Sequence, residues 1–413
     1  MNVKVFHRDT CRLCGGCSHD LGLSLTPTPI GDDFVSKERL AKGQESFPLD
    51  LCVCRDCGNV QLLKTLDPEV VYGEYLYTSS SSVGLPEHFQ HYADHVMRYA
   101  NPSKGALVVE LGSNEGAMLR AFKNNDMRVL GIDPASEIAR RATAAGLETL
   151  PTFFSAKLAS EIRAKYGPAS IVVANNVFAN IDDLADMAEG VRALLADEGV
   201  FVFETSYLLD VIEKNLIDTV FHEHLCYFAV KPLEAYFRRY GMQLVNAERV
   251  PTKGGSLRGY VQLAGAKRIV APAVAELKAL EAKAGIDHPQ ALAVLGERLD
   301  TIKGELLALL DDLRSKGKTI ANYGAAVGLT TMIYHFDLAG RLSFIVDDNL
   351  VKQNTFSPGH HIPVYAPQAM YERKPDYMLI LAWRYADNIM KQHRAYLDQG
   401  GHFIIPLPEL RVI

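Results

Sequence analysis

The sequence predicts an α/β protein in three parts: a small cysteine-rich module over residues 1–70, a Rossmann-like domain over 71–270, and linker helices leading into a second Rossmann-like domain over 271–413. Three observations carry this. Six of the seven cysteines fall between Cys11 and Cys57. Strand-like runs alternate with helical stretches from Ala106 to Glu204, the mark of a parallel, doubly wound sheet. After a charged, Ala/Leu-rich stretch from Val274 to Lys316, the same alternation restarts at Thr319.

Size and charge narrow the class. A chain of 413 residues, 48% of them hydrophobic, holds enough apolar mass for more than one core. A net charge of -6 against 43 Lys+Arg, with no basic tail, argues against nucleic acid or an anionic membrane as a partner. The opening Met1–His7 soon meets charges and cysteines, and no later run reaches about 18 uncharged apolar residues, so neither a signal peptide nor a membrane span is expected. A cytoplasmic protein follows. In that compartment clustered thiols read as metal ligands before disulfides.

The first module carries two matching knuckles, Cys11-Arg12-Leu13-Cys14-Gly15 and Cys54-Arg55-Asp56-Cys57-Gly58. Each glycine permits the tight turn that points backbone amides at thiolates. Cys11, Cys14, Cys54 and Cys57 together supply four ligands to one tetrahedral Zn2+. Cys17 and Cys52 offer other registers, but only the chosen pairs share a glycine after the second cysteine. Four protein ligands leave no position open for water, so the metal is expected to be structural. Beyond the module, the aromatic then polar Tyr72–Ser82 reads as a loop or lid.

In the first Rossmann-like domain, Glu110-Leu111-Gly112-Ser113-Asn114-Glu115-Gly116 places glycines where a strand must turn sharply into a helix. Asp133 ends the next strand, where a carboxylate accepts hydrogen bonds from ribose hydroxyls. A dinucleotide fits poorly, because Gly-x-Gly-x-x-Gly is absent and Glu110 precedes the first glycine, where a pyrophosphate would be repelled. S-adenosylmethionine has no phosphate and carries a sulfonium cation, which tolerates nearby carboxylates. Asn175 and Asn176 then form a floor at the end of the third strand, beside the methionine end, and Phe153 and Phe154 flank the adenine.

Downstream of the fourth strand stands Phe221-His222-Glu223-His224, just beyond the end of the cofactor sheet, where such folds bind substrate. Histidine suits proton removal near neutral pH, and a nearby carboxylate can orient the imidazole. A catalytic zinc is not expected here. His-Glu-x-x-His is absent, and nothing nearby supplies a third ligand.

These pieces together resemble the sugar C-methyltransferases of deoxysugar biosynthesis, over nearly the whole chain. The likeness runs through the knuckles, the Tyr-rich segment ending in Ser79–Val83, the Glu110–Gly116 loop, Phe203-Glu204 and Phe221–His224. It continues through Gly254–Arg258, Tyr323-Gly324-Ala325 and the most distinctive stretch, Lys352–Asn354 through Pro358–Pro363. The resemblance implies methylation, normally at C3, of a nucleotide-linked 4-keto-6-deoxysugar. It implies His224 as the base, Glu223 as its support, and Tyr75 or Tyr77 as the group assisting at the enolate. The C-terminal half would hold the nucleotide, with Tyr323-Gly324 as the glycine turn and Lys352, Arg258 and Arg384 as cations. This chain departs from the pattern with Asn180 in place of a histidine, Phe221 in place of a tyrosine for which His222 compensates, and Gly328 in place of a lysine. The departures bear on the sugar and nucleotide, which stay open with the oligomeric state. Two rivals are a catalytically altered sugar-nucleotide binder and a nucleotide-sugar oxidoreductase using the C-terminal half.

Overall fold

The structure is a computed structural model that describes residues 3–72, without the Tyr72 side chain, and 84–413. Tyr75 and Tyr77 lie outside the described residues.

In the cysteine-rich module the strand Phe47–Cys54 alternates apolar and polar residues along its first half, burying Phe47, Leu49 and Leu51 on one face. It pairs antiparallel with His19–Thr28 and with Val60–Leu62. A fourth strand, Cys226–Tyr227, arrives from the middle of the chain and closes the sheet through Cys226↔Gln61 and Tyr227↔Val60. The module's apolar face meets the helix Pro289–Ser315, which buries Leu292, Leu295, Leu299, Ile302, Leu306, Leu310 and Leu313 at helical spacing. The charged stretch before the second half is thus two helices, Pro272–Ala284 and Pro289–Ser315, and the longer one packs on the first module.

The central sheet has seven strands. Leu107–Leu111, Arg128–Ile132 and Thr149–Leu150 lie parallel to one side, with Ala169–Asn175 and Leu195–Ser206 to the other. An antiparallel pair, Ser256–Leu263 and Met242–Val250, completes it. All five residues of Leu107–Leu111 are buried, as a strand covered by helices on both faces requires. Strand order reverses between Leu107–Leu111 and Ala169–Asn175, and the crevice beyond their carboxyl ends is where doubly wound sheets bind ligands.

The C-terminal sheet repeats the plan. Ile320–Tyr323 is flanked by Ile345–Val346 and Val364–Tyr365 on one side and by Tyr377–Ile380 and His402–Ile405 on the other, all parallel, with antiparallel Arg411–Val412 at the edge. Its reversal falls between Ile320–Tyr323 and Tyr377–Ile380. No helix among the described residues is long and apolar enough to cross a membrane.

The helix Val327–His335 joins all three parts. Thr330 Oγ1 donates to Gly31 O (2.9 Å) in the first module, and Thr331 Oγ1 donates to Val220 O (2.7 Å) in the central domain. Gly328 lies so close to the central domain that an added Cβ would stand 1.7 Å from the Asp218 carbonyl oxygen. This accounts for glycine where a lysine was expected, since no side chain fits. Gly328→Ala must push a backbone carbonyl aside, and we expect it to lower stability by about 3 kcal/mol, read as a fall in melting temperature. A variant as stable as the parent would refute the close approach.

Candidate active site

The two sheet reversals open onto one cavity of about 1010 Å³, lined by Gly112, Asn114, Asp133, Asn175 and Asn176 on one wall and by Tyr323, Gly324, Asp347 and Arg384 on the other. Residues Phe221–His224 line the same cavity, as does Asp32 of the cysteine-rich module.

On the central wall Gly112 holds φ 68°, and its Cβ would strike the Val177 side chain at 2.9 Å, so glycine keeps the loop low beneath a ligand. Asp133 fixes the loop, with Oδ2 accepting from Asn114 N (2.8 Å) and Oδ1 from Ala135 N (2.9 Å). Burial raises its carboxyl, and raises that of Glu110 well above the ordinary range. Gly116 turns into the following helix at φ 78°, where an added Cβ would meet Leu147. Among the described residues, Glu110 Oε2 and both side-chain amide atoms of Asn175 are buried without hydrogen-bond partners, as donors and acceptors awaiting a ligand would be. Phe153 is exposed and Phe154 half-buried, and both line the cavity. These residues fit S-adenosylmethionine: apolar rings, amides and carboxylates surround a crevice without a phosphate cradle.

The C-terminal wall repeats this lock. Gly324 has φ 111°, and Asp347 accepts from Ala325 N (2.6 Å) and Asn349 N (2.8 Å), as Asp133 does in the central domain. The sequence signal for Asp347 was the same acidic end to a second strand, read for Asp133 and overlooked here. Tyr323 donates its hydroxyl to Asp348 (2.7 Å), and burial raises its pKa. Arg384 pairs with Asp218 at 2.8 Å. Lys352 is buried, pairing with Asp32 and donating to Ala325 O (2.7 Å). Both cations line the cavity, already holding protein oxygens.

Arg258 requires a correction. It sits in Ser256–Leu263 of the central sheet, donates to Glu204 at 2.8 and 2.9 Å, and lies over the Tyr92 ring at 4.3 Å. It does not line the cavity, because Glu204 and Tyr92 hold it inside the sheet's own packing.

His224 is half-buried on the cavity wall, its ring 4.0 Å from that of Phe221. Nδ1 lies 2.8 Å from Thr219 O. A carbonyl only accepts, so Nδ1 carries the proton and Nε2 keeps its lone pair. Burial, then Lys253 and Arg384, push the imidazole down to about 3, so it is neutral at pH 7. The expected Glu223 support is corrected here: the orienting acceptor is the Thr219 carbonyl, a backbone atom with no signature in sequence. Glu223 is instead buried facing Asp32 and Lys352, with Oε2 unpartnered among the described residues. Burial and then Asp32 raise it to about 7. His222 lines the same cavity with Nε2 at 3.3 Å from Phe47 O, and burial lowers it to about 4. Asn180 also lines the cavity, its Oδ1 buried and unpartnered among the described residues.

Away from the cavity, the sulfurs of Cys11, Cys14, Cys54 and Cys57 all lie within 4.8 Å of one another. Cys11–Cys57 and Cys14–Cys54 are 3.6 and 3.5 Å apart. A zinc bonded to four sulfurs at about 2.3 Å sets them about 3.8 Å apart, so the cluster fits the ion. Gly15 (φ 76°) and Gly58 (φ 78°) make the two knuckle turns, closing Gly15 N→Cys11 O and Gly58 N→Cys54 O.

Three family models match the chain in consecutive segments. Residues 11–72 match a zinc binding domain, 87–247 a methyltransferase domain, and 251–408 a C-methyltransferase C-terminal domain. C-methyltransferase NovU of Streptomyces niveus is 36% identical over 409 residues, 98% of this chain and 97% of NovU. Among solved structures, an S-adenosylmethionine-dependent methyltransferase of Clostridium acetobutylicum shares 11% identity at TM-score 0.34, over 48% of this chain and 96% of its own. Magnesium protoporphyrin IX methyltransferase of Synechocystis, solved with bound SAH, shares 12% at 0.35, over 48% and 92%. Similar to NovU from end to end, and carrying a zinc-binding domain, a methyltransferase domain and a C-methyltransferase C-terminal domain in that order, the chain belongs to the S-adenosylmethionine-dependent C-methyltransferases.

Proposed function

We propose that the acceptor is a nucleotide-linked 4-keto-6-deoxysugar, methylated at C3 through an enolate. The observation that carries this reading is His224, neutral and held by Thr219 O in one tautomer, between a cofactor wall and a second Rossmann-like wall of one cavity. Bound S-adenosylmethionine supplies an electrophilic methyl group. A ketone acidifies the neighbouring C–H, and a neutral imidazole Nε2 is the acceptor such a proton needs. Glu223 and Asn180, each with an unpartnered buried oxygen, hold the sugar's hydroxyls. Lys352 and Arg384 sit at the C-terminal wall, near where the nucleotide's charges are received. The enolate donor that the resemblance assigns to Tyr75 or Tyr77 lies outside the described residues.

Incubation with methyl-labelled S-adenosylmethionine and a panel of 4-keto-6-deoxysugars on dTDP, GDP and CDP tests the reading. Label is expected on the carbon beside the ketone of at least one acceptor, with S-adenosylhomocysteine released in equal amount. Binding of a sugar nucleotide with no label transfer across the panel would overturn it.

A further inference from the structure

The two Rossmann-like sheets leave their second strands, Arg128–Ile132 and Ile345–Val346, in matching register and then differ by one polar pair. Gly112 N donates to Ile132 O and Gly324 N to Val346 O, each at 2.8 Å. Leu111 therefore corresponds to Tyr323, the locking Asp133 to Asp347, and Pro134 to Asp348. Where the central sheet has a leucine and a proline, the C-terminal sheet has a tyrosine whose hydroxyl donates to Asp348 Oδ2 at 2.7 Å. Both residues line the cavity, Tyr323 buried and Asp348 exposed.

That pair is the end of a longer chain. A carboxylate accepts, so the Tyr323 proton is committed to Asp348, and the phenolic oxygen accepts from His393 Nε2, 3.1 Å away. Nε2 thus carries the ring proton, and Nδ1 accepts from the Tyr371 hydroxyl at 3.0 Å. Burial holds His393 below its ordinary pKa, in keeping with one ring proton rather than two. His393 is only 5% exposed, so this chain carries a desolvation cost, and its bonds all run one way, ending on one exposed carboxylate. Among the described residues Tyr323 is the donor to Asp348, which leaves Oδ1 to a ligand.

We infer that Asp348 accepts a hydrogen bond from a pentose hydroxyl of the acceptor's nucleotide, and that His393 is a positioning residue that holds Asp348 for it through Tyr323. The inference rests on the reading of the C-terminal wall as the nucleotide's site. An acidic residue just past the second strand, at a sheet reversal, is where such folds take a ribose. Asp347 is occupied by the N–H groups of Ala325 and Asn349, and the next residue is Asp348. A carboxylate fixed before the ligand arrives loses little side-chain freedom on binding it. Adjacent carboxylates repel a pyrophosphate, which is left to Lys352 and Arg384 in the same cavity. The 3′-hydroxyl is the donor that ribonucleotides and deoxyribonucleotides share.

Calorimetry of the full chain with TDP, GDP and CDP, S-adenosylhomocysteine present, identifies the nucleotide held, which is then compared with its 2′,3′-dideoxy form. Wild type should bind the dideoxy form about 10–10²-fold more weakly, the range for a hydrogen bond to a charged group. Asp348→Ala should weaken the parent nucleotide by a similar factor and leave the dideoxy form within about twofold. His393→Phe should cause a smaller loss, again confined to the parent nucleotide, and His393→Gln, which keeps a donor and an acceptor, should recover part of it. If His393→Phe does not fold, Tyr323→Phe, which keeps the ring and removes the link, decides. Unchanged binding in Asp348→Ala, or equal loss of both forms, would overturn the inference alone, the second outcome placing the carboxylate against the base. Loss of both forms alike in His393→Phe would make that residue structural and overturn its positioning role. No binding of any of the three nucleotides by wild type would overturn the nucleotide reading and this inference with it, whereas failure of the ketosugar chemistry would show only in the labelling panel.

Discussion

His224→Asn is expected to lower kcat for methyl transfer by about three orders of magnitude, while the affinity for S-adenosylmethionine changes less than about threefold. Asparagine preserves a side-chain donor toward Thr219 O, which holds Nδ1 in the parent at 2.8 Å, but it offers no basic nitrogen at the Nε2 position. The cofactor contacts we propose for the Gly112 and Asp133 wall should persist. Because burial and the neighbouring cations push the imidazole down to about 3, His224 is unprotonated well below the ordinary histidine range of about 6.5. Acidification from about pH 7.5 to pH 5.5 should therefore not mimic the substitution through His224. Single-turnover rates and calorimetric cofactor titration check both halves. Full activity in His224→Asn would remove the base from the mechanism.

Loss of the zinc cluster should act through the fold. Cys57→Ser, or prolonged chelation, is expected to cost about 5 kcal/mol or more of stability and to abolish activity, although four cysteine ligands leave the ion no open position for chemistry. The route is visible in the backbone. The module's sheet takes Cys226–Tyr227 as its edge strand, and Leu62 N donates to Leu225 O at 2.9 Å, directly after His224. Melting the knuckles releases that strand and, with it, the turn that carries His224. Thermal denaturation and metal content measured side by side test this, with Cys17→Ser at an exposed cysteine as the control expected to change neither. A zinc-free protein with the parent's melting temperature would contradict it.

Much of the architecture was legible because it rests on local signals. Apolar runs bounded by glycine turns encode buried parallel strands, and the repeated Cys-x-x-Cys-Gly spacing encodes four converging thiolates. Gly112 was readable for the same reason, as a strand turning tightly into a helix, whereas the part of Asp133 in locking that loop, through Asn114 N and Ala135 N, was not. Arg258 was misplaced because its position in sequence, just before the C-terminal half, gives no sign that it is paired inside the central sheet with Glu204, 54 residues away. The support of His224 escaped because a carbonyl of Thr219 carries no residue-type preference.

By itself, then, the sequence determined the three-part α/β plan, the tight Glu110–Gly116 loop and the four-cysteine cluster, all properties of short segments whose chemistry is complete within a few turns of chain. Only the tertiary structure decided that both sheet reversals open on one cavity, and that Asp32, Lys253 and Arg384 line it together with residues 221–224. Gly328 shows why. Its lack of a side chain has no meaning within its own helix, and acquires one only where Asp218, over a hundred residues earlier, presses its carbonyl against it. Such contacts depend on how separately folded layers stack, which no local propensity encodes.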